Sequence, residues 1–217
     1  ATWSLLHRRA WLGSRALDYL LTRGDGIAGQ VCITGHSRDG KQALIAAAFD
    51  ERITAVAASS SGSPGAAPYR FTSRDTFAEA PADFPGEWFR PALRDYTGRE
   101  HELPLDAHGW YVLIAPRPVL IGTAWNDGCE PTFAVERGYR AGRAVYDWLG
   151  HPERLRIRWR PGQHHSTRDR DMVHDYFDWF DLHFGRGHAK PEHFPERLIH
   201  HFDWDGWHAK QDAAALA

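Results

Sequence analysis

The chain has 217 residues, 42% hydrophobic and 13% aromatic, which gives one domain an ample core and excludes disordered, collagen-like and low-complexity classes. Its 26 Lys and Arg residues nearly balance its 28 Asp and Glu residues, and a net charge of −2 supplies no field to draw the chain to nucleic acid or anionic lipid. No apolar run approaches the roughly 20 residues that span a bilayer, and the opening ATWSLLHRRAWLGSRALDYL is amphipathic rather than signal-like, so the expectation is a soluble chain with no membrane or nucleic-acid partner. Cys32 and Cys129 form neither a disulfide framework nor a metal-ligand spacing.

Apolar residues from Trp11 to Leu21 recur at helical spacing before the two glycines of TRGDG. QVCIT at 30–34 predicts a short strand ending at Gly35, and GKQALIAAAFD at 40–50 a helix. ITAVAASSS at 53–61 and RPVLIGTA at 117–124 predict buried strands, with APRP before the latter read as loop. Residues 132–149 are helical in pattern, LRIRWR at 155–160 alternates as a half-buried strand, and Met172, Val173, Tyr176, Phe177, Phe180 and Phe184 stripe a last helix. This alternation predicts an α/β domain with a mostly parallel sheet over residues 1–184. Residues 60–110, rich in Pro, Gly and aromatics, break the rhythm and predict a lid-like insertion, and residues 185–217 a C-terminal strap.

Gly35-His36-Ser37-Arg38-Asp39-Gly40 stands where strand gives way to helix, and a serine there is thrust outward on a strained turn with a helix N-terminus beneath it. The second glycine of this elbow comes three residues after the serine rather than two. A serine hydroxyl needs an imidazole to take its proton and a carboxylate to orient that imidazole. Asp127 follows the strand VLIGTA, with Glu130 as the fallback acid, and His164 or His165 follows LRIRWR. Ser, acid and His thus lie at three strand ends in the order expected of this chemistry. The histidines lack metal-ligand spacing, so neither a metal nor a cofactor is expected.

At these residues the chain resembles the glucuronoyl esterases of carbohydrate esterase family 15. The resemblance covers most of residues 10–184 and is carried by Ser-Arg-x-Gly-Lys at 37–41 and by the LP-x-D-x-H…APRP stretch at 103–118. It implies an α/β-hydrolase-like three-layer sandwich. It also implies an oxyanion-stabilising role for Arg38, binding of sugar hydroxyls by Lys41, and contact of Trp88 with the uronate. Lys41 is one of only three lysines, with Lys190 and Lys210. Many members carry a glutamate in E-S-G-x-G-G after the second of these strands, where this chain has Ser60, which moves the expected acid to Asp127.

The activity implied is a serine carboxylesterase acting on an ester of a sugar or uronic acid. The alternatives are an acetyl-xylan esterase or dienelactone-type hydrolase, and an inert carbohydrate-binding relic. Only 36 residues precede Ser37, so several sheet strands before the elbow are expected to be absent. Their absence would leave an apolar edge at Val31 to Ile33 open to self-association, with secretion an open matter for any preceding signal peptide.

Overall fold

The computed structural model describes residues 3–24, 29–72, 88–125, 127–160 and 170–198. Its first helix, α1 (Leu5–Thr22), starts six residues before the apolar periodicity predicts. The reason is a cap rather than a pattern: Ser4 Oγ accepts the His7 N–H at 3.3 Å and satisfies a donor that the first turn leaves open. Leu6, Ala10 and Leu17 face inward from α1.

Four parallel strands follow in the order β1 (Cys32–His36), β2 (Ala55–Ser59), β3 (Val119–Ala124) and β4 (Leu155–Arg160). Each is joined to the next through helical segments: α2 (Arg38–Phe49), α3 (Gly109–Ile114) and α4 (Thr132–Trp148), while α5 (Arg170–Phe184) follows β4. Every residue of β2 and β3 is buried, which is why both read as continuous apolar runs. Alternate side chains of these strands serve two cores. Val56, Ala58, Val119 and Ile121 pack with α1 to α4, whereas Ala55, Ala57 and Leu120 pack with Met172, Tyr176, Trp179 and Phe180 of α5. Helices therefore cover both faces of the sheet in three layers. Among the described residues β1 pairs only with β2, and Cys32 on it is exposed. No helix among the described residues is long and apolar enough to cross a membrane.

Helix α3 was not predicted. Four of its six residues, GWYVLI, are aromatic or β-branched, and they hold a helix through contacts made elsewhere in the chain. Trp110 Nε1 donates to the Pro64 carbonyl at 2.8 Å, and the buried Tyr111 hydroxyl donates to the Ala66 carbonyl at 3.3 Å.

Within the segment at about 60–110, Ser60, Ser61, Ser63, Ala66, Ala67 and Tyr69 are buried, and residues 88–108 run through 3-10 turns. Asp106, the acid of the LP-x-D-x-H stretch, joins the two parts. It accepts from the Tyr69 and Arg70 N–H groups at 2.8 and 3.2 Å and from Arg70 Nε at 3.0 Å. Residues 73–87 lie outside the described residues.

Residues 185–198 cross the outer side of β4. Phe194 is buried against Trp179 on the α5 face, Arg156 Nε donates to the Phe194 carbonyl at 3.0 Å, and Trp159 Nε1 donates to the Arg197 carbonyl at 2.7 Å. Glu196 then meets Tyr139 and Arg143 of α4, the latter at 2.5 Å. The rest of the expected strap, 199–217, lies outside the described residues.

Candidate active site

Ser37 sits between β1 and α2 with φ 56° and ψ −124°, a conformation that costs a non-glycine residue on the order of 1–3 kcal/mol. The turn is held from both sides. Its N–H donates to the Ser59 carbonyl at 2.8 Å, and its own carbonyl accepts from the Lys41 N–H at 3.1 Å. The flanking glycines are there for closeness: a Cβ on Gly35 would stand 2.2 Å from the Asp39 carbonyl oxygen, and one on Gly40 would stand 3.0 Å from both the Ser59 oxygen and the Ser61 Cβ. A glycine three residues past the serine is therefore what the crossing of α2 over the end of β2 demands. The serine stands at the N-terminus of a 12-residue helix, where the helix dipole favours developing negative charge.

Arg38 follows directly, and its guanidinium lies over the Trp88 ring at 4.2 Å from the centroid. The residue expected on the oxyanion and the one expected on the uronate are thus in contact with each other. Trp88 is partly buried and also packs on the core. Lys41, one helical turn from the serine, is 5% exposed.

Both acid candidates are buried on the loop after β3, Asp127 at 1% and Glu130 at 0% exposure. The loop closes on itself: the Glu130 N–H donates to the Asp127 carbonyl at 3.1 Å, and Asp127 Oδ1 accepts the Cys129 N–H at 2.9 Å. Glu130 Oε1 accepts from Ser61 Oγ at 3.2 Å and from the Gly62 N–H at 3.1 Å, tying the loop after β2 to the loop after β3. Burial pushes the Glu130 carboxyl up to about 7, with the Asp127 charge adding to the rise and with Thr123, the Gly62 N–H and the Lys41 charge opposing it.

His164 and His165, the two candidates for the base, lie outside the described residues, as do all of 161–169. The strand that leads to them, β4, ends beside β3 with Ala124 opposite Arg160. Among the described residues no three His, Cys, Asp or Glu side chains gather as metal ligands.

Sequence reasoning missed one pairing at the site. Ser60, at the position of the departing glutamate, is buried with φ 40° and accepts from Arg160 Nη2 at 2.6 Å. Arg160 is itself buried, so the alternation of LRIRWR stops being inward-apolar at its last residue. The sequence signal was that a buried-strand pattern ends on a charge just where the motif loses one.

Residues 1–150 match the family model described as glucuronyl esterase, fungi. A carbohydrate esterase from an unknown prokaryotic organism is 32% identical over 201 residues, which cover 85% of this chain and 46% of that relative. The 4-O-methyl-glucuronoyl methylesterase 1 of Wolfiporia cocos is 33% identical over 161 residues, covering 70% of this chain and 40% of its own. Among solved structures, a carbohydrate esterase family 15 glucuronoyl esterase from Caldicellulosiruptor kristjansonii superposes with a TM-score of 0.77 at 28% identity, over 92% of this chain and 54% of that one. The chain spans about half the length of the relatives it matches. With a parallel sheet covered on both faces, a strained serine at its first strand–helix turn and a family match over residues 1–150, the chain is an α/β-hydrolase fold that belongs to the glucuronyl esterase family.

Proposed function

We propose that this chain carries the nucleophile and acid of a serine esterase that cleaves an ester of a sugar or uronic acid, in the manner of the 4-O-methyl-glucuronoyl methylesterases it resembles. The observation that carries the reading is the elbow, where Ser37 sits at positive φ in a turn so close that a Cβ on Gly35 would stand 2.2 Å from the Asp39 carbonyl oxygen. In this scheme Ser37 Oγ attacks the ester carbonyl while His164, or its neighbour His165, takes the hydroxyl proton. Asp127 orients the imidazole, and Arg38 donates to the oxyanion from its stack on Trp88. The histidine returns the proton to the leaving alcohol, and water then releases the acid by the same route. Lys41 and Trp88 bind the sugar, and the scheme calls for no cofactor.

The test is labelling by a fluorophosphonate, followed by an ester panel of methyl glucuronate and acetylated sugars on wild type and Ser37→Ala. Labelling at Ser37 with turnover of the uronate ester supports the reading. An unlabelled chain that still binds glycans makes it a carbohydrate-binding relic. The alternative activity on an acetyl ester of a sugar is read by the acetylated arm of the same panel.

A further inference from the structure

At the start of β4, opposite the strand ends that carry the elbow, a cavity of about 270 Å³ lies between α5 and the crossing segment. Its lining brings together Glu153, Arg154, Arg156, Trp179, His183 and Phe194. Trp179 is fully buried, and its Nε1–H, which can only donate, has no hydrogen-bond partner among the described residues. His183 packs edge-on against it with ring centroids 4.2 Å apart, and its buried Nε2 also has no hydrogen-bond partner among the described residues. A buried polar atom left without a partner is costly, so two side by side ask for an explanation.

The rest of the lining supplies more donors. Arg156 spends Nε on the Phe194 carbonyl at 3.0 Å and Nη1 on the Pro152 and Leu155 carbonyls at 2.5 and 2.9 Å, which fixes its guanidinium at the cavity. Arg154 Nη1 donates to the Pro116 carbonyl at 3.2 Å. The carboxylate in the lining, Glu153, is drawn to Arg154 at 3.6 Å and to His151 at 3.7 Å. Two guanidiniums, an indole N–H and an imidazole converge on a space large enough for a small ion with part of its hydration.

We propose that this cavity is a binding site for a small oxyanion, a carboxylate or an inorganic sulfate or phosphate. Its oxygens accept from Trp179 Nε1 and from a protonated His183, and its charge faces Arg154 and Arg156. Without an anion, burial and the Arg154 charge hold His183 down to about 4, with Glu153 opposing and Arg156 adding to the effect. A bound anion reverses that balance and raises the histidine.

The full chain is titrated with sodium sulfate and, separately, with sodium acetate at constant ionic strength, following indole N–H and histidine ring resonances by NMR. The expected result is a saturable shift of one indole N–H that is absent in Trp179→Phe, together with a rise of the His183 titration. The dissociation constant weakens about tenfold in His183→Gln, the loss of one hydrogen bond to a charged group. Response to acetate alone marks a carboxylate site, and response to sulfate alone marks an inorganic one. Shifts that grow linearly with salt, or an affinity unchanged in His183→Gln, overturn the proposal. So does silence with both anions, which leaves water as the occupant. Should Trp179→Phe fail to fold, His183→Gln decides the matter by itself.

Discussion

Replacing Glu130 with glutamine keeps an oxygen to accept from Ser61 Oγ and the Gly62 N–H while removing the charge. In the wild type the folded chain holds this proton to about pH 7, whereas an exposed carboxyl with the ordinary value of 4.5 has released it long before. Between those two values the unfolded state binds fewer protons than the folded one, so stability falls as pH rises through that window and stays lower above it. At about 1.4 kcal/mol per pH unit the full difference is about 3 kcal/mol, a large share of the 5–15 kcal/mol typical of a domain. Glu130→Gln escapes this loss. Urea unfolding followed by tryptophan fluorescence, run on both proteins between about pH 5 and pH 8, reads the effect as a difference. Asp50, held down to about 2, and His183, held down to about 4, titrate alike in both and cancel. The variant should gain about 2–3 kcal/mol relative to wild type across this range. A difference that does not change with pH would refute the reasoning, because it would mean that the Lys41 charge and the loop donors offset burial in full.

Asp127→Asn is expected to lower kcat by about 10⁴ and Glu130→Gln far less, measured on an activated acyl ester; wild-type activity in Asp127→Asn would remove Asp127 from the triad. Lys41→Ala and Trp88→Ala should raise KM for methyl glucuronate much more than for a small activated ester, and equal effects on both would assign those side chains to the fold or, for Trp88, to Arg38. If the β1 edge pairs with a second copy, Cys32→Lys on that exposed strand should shift concentration-dependent sizing toward monomer, and an unchanged elution profile would exclude pairing there.

What the sequence made legible follows from where the information sits. Strands β2 and β3 announced themselves because an interior parallel strand is apolar on both faces, and β4 because one side of it is not. Ser37 was readable because its constraint is local: a strand, small residues on both sides, then a helix. The first turns of α1 were hidden because His7, Arg8 and Arg9 interrupt the apolar spacing and Ser4 was the sole sign. Helix α3 was hidden because its residues prefer strands, and Pro64 and Ala66, which hold it, stand some 45 positions away. The same distance hides the inner side of the site. Ser60 meets Arg160 across 100 positions and Glu130 meets Ser61 across 69, and no local pattern records such a pairing.

These pairings bear on how a family member can place serine where others keep glutamate. On the proposed reading Asp127 alone serves the histidine, so a second buried carboxylate nearby would cancel the positive charge that helps the reaction. With Glu130 protonated up to about pH 7, Asp127 carries the remaining carboxylate charge of this loop, while two buried cations, Lys41 near Glu130 and Arg160 on Ser60, stand at the same end of the sheet, before Arg38 is counted. That surplus favours a carbonyl oxygen on its way to an oxyanion, and burial strengthens the effect by excluding water. A neutral Glu130 still accepts from Ser61 and Gly62, so it can hold the loop after β2 without adding negative charge. Ionisation above about pH 7 would cut the surplus and, by the linkage argued above, lower stability as well. One buried proton on Glu130 therefore ties the shape of the loop after β2 to the strength of the positive field around the serine.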